Sequence, residues 1–249
     1  MFQLGEAQDK IAELNEKLVR KCPNLSLELD FHSRFKNREN VSIYEDMIHP
    51  QIILCLNHMP DNSCISSIAC KINKTNKTME ISSKTHESHE GKKYNTLLRS
   101  AILMAASHIK YKIGNGTNSK TKGKSRSKKS KTKSKSRRNK VMNVTQIISR
   151  SINPISTLLL VKYFGAENAE LDEFIDENEY DRSDLTLDQI KEFQQEVNTD
   201  EMTSSEELEY MENNKNYGDP LLLNINLLDP SVAEKIENTF ESTLKKVVC

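Results

Sequence analysis

Between residues 7 and 20 the apolar positions Ile11, Leu14 and Leu18 recur at three- and four-residue spacing, which predicts an amphipathic helix. The period then changes to two. NLSLELDF (24–31) alternates leucine with polar residues, as a half-buried strand does. QIILCLNH (51–58), a short apolar run behind Pro50, reads as another strand. CISSIACKIN (64–73) and TMEISSKT (78–85) flank the polar cluster KTNK and predict an antiparallel hairpin. A polar loop, HESHEGKKYN, runs from there into a helical pattern over about Tyr94 to Ile109. Its Leu97, Leu98, Ala101, Ile102, Ala105 and Ile109 follow helical spacing.

The pattern lapses at 112–140, a low-complexity tract of Lys, Ser, Thr, Gly, Asn and Arg. So little apolar surface cannot offset the entropy of ordering, and the tract is expected to be disordered. Patterning resumes with NVTQIISRSI (143–152), a β-branched strand candidate. NPISTLLLVKYFG (153–165) follows, with Asn153 suited to an N-cap, Pro154 to the first helical position and Gly165 to the stop. An acidic segment over 167–216 is expected to be partly helical (as in LTLDQIKEFQQEV) or disordered. Residues 217–249 close the chain with a strand, LLLNINLL (221–228), and a helix capped by Asp229 and started by Pro230. Ala233, Ile236, Phe240, Leu244 and Val247 share one face of that helix. No internal repeat is present. The order of elements predicts a single domain, 1–249, of α/β (α+β) class with two charged excursions.

Composition sharpens this picture. The 249 residues are 36% hydrophobic and 29% charged, with a formal net charge of zero. The zero conceals two opposed blocks. Lys110 to Lys140 holds many Lys and Arg and no acid, whereas Glu167 to Glu212 is acidic, relieved only by Arg182 and Lys191. The cysteines are Cys22, Cys55, Cys64, Cys70 and Cys249. Their odd number and the lack of a CxxC pair argue against a disulfide framework and for reduced thiols in an intracellular protein, cytoplasmic or nuclear. The charged N-terminus does not read as a signal peptide, and no apolar run is long enough for a membrane span.

Two segments carry a family resemblance. The first is TMEISS, the loop HEGKKYN and the helix TLLRSAILMAA. The second is VTQIISRSI followed by NPISTLLLVKYFGA, with Asn153, Ser156 and the ending Phe164-Gly165-Ala166. Together, over about 64–109 and 141–166, the chain resembles the GNAT-type N-acetyltransferases. The resemblance implies a central, mostly antiparallel sheet flanked by helices. It also implies acetyl-CoA or another acyl-CoA as co-substrate, and acyl transfer to an amine acceptor. In that family the loop wraps the pyrophosphate of coenzyme A, which places Glu90, Gly91, Lys92, Lys93, Tyr94 and Asn95 at the cofactor, with Asn153 on the second segment. Glu90 stands where the family has a basic or amide residue, and Lys93 and Asn95 stand where it has glycines. Val161 stands where many members carry a tyrosine acid; Tyr163 lies two positions on. Glu80, on the strand before the loop, is the carboxylate placed as a general base; otherwise it is an exposed strand residue opposite Lys71 or Lys77.

Other signals are weaker. His86 and His89 do not form HExxH, and no metal site is expected from them. GKS at 123–125 has Asn118 where a P-loop needs glycine. The tract over 120–140 suits nonspecific polyanion or nucleic-acid contact and nuclear import, or contact with the acidic segment. It is otherwise a solvated loop, and no aromatic interleaves it for base stacking. The competing expectation is therefore a non-catalytic scaffold of the same fold whose basic tract binds nucleic acid or whose charged segments bind a protein partner.

Overall fold

In the computed structural model, residues 2–35, 50–113, 140–151, 153–199 and 221–249 are described. They form a mixed α/β architecture built on a six-stranded, mostly antiparallel sheet flanked by helices. In chain order the elements are β1 (Phe2–Gln3), α1 (Gly5–Lys21), β2 (Leu25–Phe31), α2 (His32–Phe35), β3 (Ile52–His58), β4 (Ser63–Asn73) and β5 (Thr78–Thr85). A 3-10 turn (Glu87–His89) precedes α3 (Tyr94–Ala106), β6 (Lys110–Ile113), β7 (Lys140–Asn143), β8 (Gln146–Ser151) and α4 (Pro154–Phe164). Then come α5 (Ala169–Glu177), α6 (Leu187–Thr199), β9 (Leu221–Asn226) and α7 (Pro230–Lys246).

The large sheet has the order β2-β3-β4-β5-β8-β9. Every neighbouring pair is antiparallel except β5 and β8, which are parallel and connected through α3. KTNK turns β4 into β5 as its polar residues suggest, with Asn73 opposite Thr78. The β3–β4 ladder shifts register between Leu56 and Asn57. α3 packs on β3, β4 and β5 and is covered in turn by α1 and α7. Ten of its thirteen residues are buried, which is why it is apolar nearly all round rather than along one stripe. α1 buries Ala7, Ile11, Leu14 and Leu18, the face its spacing implied. On the opposite face of the sheet Phe35, Ile53, Cys55 and Cys64 form a second, smaller apolar cluster.

Four expectations need correction. The helical pattern does not persist to Ile109; α3 stops at Ala106 and the chain turns into β6. Lys112, Ile113 and Lys140, assigned to the disordered tract, lie in β6 and β7, which pair with each other and with β1 in a separate three-stranded sheet. The rest of the basic tract, 114–139, lies outside the described residues. The strand expected over 143–152 begins at Gln146, because Asn143 belongs to β7. Finally, Cys22 and Cys249 are not reduced thiols but form a disulfide across a sequence separation of 227, with Cα atoms 5.1 Å apart. The end of α7 lies beside the end of α1, where Lys17 meets Glu241 at 2.6 Å and Lys21 donates to the carbonyl of Leu244 at 2.6 Å. Cys55, Cys64 and Cys70 are buried thiols outside this disulfide.

In the acidic segment, residues up to Thr199 are described and carry α5 and α6. Leu171, Phe174, Ile175, Leu185, Ile190 and Phe193 bury there and join the main core. Its acids therefore lie on the outer faces of helices anchored by a few apolar residues. The remainder, 200–216, lies outside the described residues. Among the described residues no helix is long and apolar enough to cross a membrane.

Candidate functional site

The parallel pair β5–β8 is where the site begins. Its ladder runs from Thr78–Gln146 to Ile81–Ser149 and ends there. β5 continues beside β4 to Thr85, and β8 continues beside β9 to Ser151. The two strands thus part company after Ile81 and Ser149, leaving a fork at their C-terminal ends. Each strand feeds toward a helix start, α3 after β5 and α4 after β8. Ligands of open α/β sheets gather outside the carboxyl ends of parallel strands, because loop amides and helix N-termini point there.

The loop into α3 is held by local bonds. The amide of His86 donates to the carbonyl of Ile65 (3.0 Å) and that of His89 to the carbonyl of His86 (2.8 Å). The His86 Nδ1 and Ser88 Oγ lie 2.8 Å apart, and Lys92 Nζ is 3.3 Å from His89 Nδ1. Burial, with the charge of Lys92 and neighbouring His86 behind it, pushes the His89 imidazole below its ordinary value. Gly91 and Lys93 both adopt left-handed backbone, with φ of 78° and 69°. Glycine takes that conformation freely; for lysine it is uncommon and costs free energy. Lys93 thereby holds the kind of backbone that a glycine adopts more readily. Space around Gly91 is open, with nothing within 4 Å of a built Cβ.

Lys93 is also the N-cap of α3, and no side chain caps that helix. The first helical donor is Leu97, bonded to the carbonyl of Lys93 at 3.0 Å. The amides of Tyr94, Asn95 and Thr96 before it belong to the turn whose donors a helix cannot satisfy itself. α4 differs, because Asn153 Oδ1 accepts from the amide of Ile155 at 2.8 Å.

A side chain that the sequence pattern did not single out joins these parts. Arg99, on the second turn of α3, is 6% exposed. Its Nε donates to Asn95 Oδ1 (2.9 Å), and its Nη2 donates to Ser83 Oγ on β5 (2.9 Å) and Ser156 Oγ on α4 (2.9 Å). Its Nη1 has no partner among the described residues. Burial alone lowers the guanidinium to about 10, with no charged neighbour among the causes, so it is positively charged at neutral pH. Beside it Thr157 donates to Ser151 Oγ (2.9 Å), and Ser151 donates to the carbonyl of Asn153 (3.3 Å). The fork is therefore lined by hydroxyls and one buried cation. The clue in the sequence was a single charge between Tyr94 and Ala106, in a stretch otherwise free of ionisable groups except Tyr94.

The other residues singled out from the sequence take varied positions. Glu90 and Lys93 are exposed on the loop, and Lys92 is half-buried. Tyr94 is buried beneath it, its hydroxyl donating to the carbonyl of Val248 at 2.8 Å, and burial raises its phenol above the ordinary value. Asn95 and Asn153, 58 positions apart by number, are brought to the same fork through Arg99 and Ser156. Glu80 is elsewhere. It lies opposite Lys71 in register, binds Arg150 at 2.7 Å, and by strand alternation faces away from Ser83 and Arg99. Val161 is buried and Tyr163 is half-exposed. Among the described residues, no three His, Cys, Asp or Glu side chains converge as metal ligands would.

No protein-family model matches this chain, and no curated protein sequence matches it significantly.

Proposed function

We propose that the chain is a GNAT-like acyl-CoA-binding protein and an N-acyltransferase, with the β5–β8 fork as its acyl site. The observation that carries this reading is the parallel pair that unzips after Ile81 and Ser149, directly in front of the uncapped start of α3. In this reading the pyrophosphate of the co-substrate lies on the amides of residues 91–96, with Lys92 and Lys93 supplying charge. The thioester carbonyl lies in the fork, where a strand amide freed from the ladder polarises it. The amine nitrogen forms the new C–N bond, the C–S bond breaks, and the coenzyme leaves as a thiolate that takes up a proton. The amine's own proton passes through water to a carboxylate, the role assigned to Glu80. That role places the amine on the sheet face away from α3, where Arg150 shares the carboxylate.

The acidic outer faces of α5 and α6 favour a cationic acceptor such as a polyamine or a lysine-rich protein. The burial of Val161 where the family has its tyrosine acid favours a second reading, a fold that binds acyl-CoA without turning it over. Two measurements on the full chain separate them. Acetyl-CoA should bind saturably, and Lys92→Ala with Lys93→Ala should weaken it; no binding at high ligand concentration would sink both readings. Transfer of labelled acetyl to spermidine or a lysine-rich peptide, lowered by Glu80→Gln, supports catalysis. Binding without transfer leaves the second reading.

A further inference from the structure

We propose that Arg99 holds a carboxylate of the ligand in the β5–β8 fork, the charged end of a dicarboxylic acyl group such as succinyl. This rests on the acyl-CoA reading only for the source of the carboxylate; the anion site itself follows from the residues around Arg99.

A guanidinium has five N–H donors. Asn95, Ser83 and Ser156 take three of them, all on Nε and Nη2. Both donors of Nη1 remain, on an atom that is buried and has no partner among the described residues. All three acceptors in place are neutral, so among the described residues no carboxylate bonds to the charge. An isolated charge taken out of water is costly, and hydrogen bonds to hydroxyls and an amide do not neutralise it. If Arg99 served only to tie α3 to β5 and α4, a neutral glutamine or a well-packed apolar residue would do so without that cost. A buried cation with two unpartnered donors, set where β5 and β8 diverge, is instead arranged for an anion that arrives with the ligand.

Position and size define the anion. Ser83 is two residues beyond Ile81, the last residue of β5 paired with β8, so the guanidinium sits roughly 7 Å past the point where the strands part. That is within reach of a short chain attached to a thioester in the fork. The neighbouring hydroxyls of Ser151 and Thr157 are engaged with each other and with the carbonyl of Asn153. Ser83 and Ser156 accept from Nη2 and each keep one O–H to donate, so the donors left beside Nη1 are few and match the two oxygens of a planar carboxylate better than the several oxygens of a phosphate.

The test titrates acetyl-CoA and succinyl-CoA into the full chain and its Arg99→Met and Arg99→Lys variants by calorimetry. A parallel arm follows the Tm in free succinate, against chloride of equal ionic strength. The expected result is that succinyl-CoA binds wild type about tenfold or more tighter than acetyl-CoA. That ratio should fall to about one in Arg99→Met, with Arg99→Lys between. Equal affinities in wild type, or a ratio that survives Arg99→Met, overturns the proposal while leaving the acyl-CoA reading standing. If neither ester binds, the acyl-CoA reading fails and the succinate arm decides. A Tm that rises with succinate in wild type but not in Arg99→Met supports the carboxylate site, and an unmoved Tm overturns it. Should Arg99→Met not fold, Arg99→Lys and Ser83→Ala carry the same comparison, Ser83→Ala removing one of the two oxygens that orient Nη2.

Discussion

Reducing the Cys22–Cys249 bridge should cost this protein much of its stability. The bridge closes a sequence separation of 227 residues. The loop-closure relation puts the unfolded-state entropy removed by such a link at about 5 kcal/mol. For a chain of this size that is a Tm drop of roughly 10–20 °C on reduction. The bridge also fixes the tail whose Val248 carbonyl accepts from the hydroxyl of Tyr94, the first residue of α3. Loosening the tail should therefore raise hydrogen exchange at the start of α3 as well as along the end of α7. The assay is a urea unfolding curve with and without reductant, together with a count of reactive thiols after denaturation without reductant. Three reactive thiols are expected, those of Cys55, Cys64 and Cys70. The double variant Cys22→Ser with Cys249→Ser should unfold where reduced wild type does and ignore the reductant. Five reactive thiols, or one midpoint under both conditions, would refute the reasoning.

Other consequences follow from the helix ends. Asn153→Ala removes the cap of α4 and should cost about 1 kcal/mol in denaturant unfolding; an unchanged midpoint would show that water replaces the cap. Gly165, which stops α4 at φ 62°, leaves a new Cβ only 3.2 Å from Val232 Cγ2, so Gly165→Ala should lose about 1–2 kcal/mol through left-handed strain, and more if Val232 does not yield. Asp61, Asp181 and Asp229 each accept from the hydroxyl and amide of the serine two residues on, and those bonds hold the carboxyls below their ordinary value. A folded-state value below the unfolded one means that their contribution is complete above the ordinary carboxylate range and is lost as pH falls through the lowered values. Urea midpoints should decline below about pH 4, less steeply in Asp229→Asn, and an identical decline in that variant would contradict the assignment.

Much of the architecture could be read from local pattern. Each element spanning the sheet has a period or a punctuation mark of its own, from the alternating leucines of β2 to the Asn153-Pro154 start and Gly165 stop of α4. What escaped the pattern depends on contacts between distant residues. The β6–β7 ladder borders a basic tract, so composition hid its short strands. Five cysteines give no pairing, because only folding brings residue 22 beside residue 249. Arg99 escapes the pattern because periodicity treats a charge as a surface mark. Its partners Ser83 and Ser156 are 16 and 57 positions away, and only the sheet topology brings them together. The lysines and glycine of the loop are visible in the sequence, but the left-handed backbone of Lys93 is a property of the fold.

Hydrogen exchange of the full chain with and without acetyl-CoA tests the central claim most directly, because it locates binding as well as detecting it. The expected result is protection confined to the loop and start of α3 over residues 90–96, the unzipped ends of β5 and β8, and the first turn of α4. Protection absent there at saturating ligand, or appearing only on other surfaces, would contradict the placement of an acyl-CoA site in the fork.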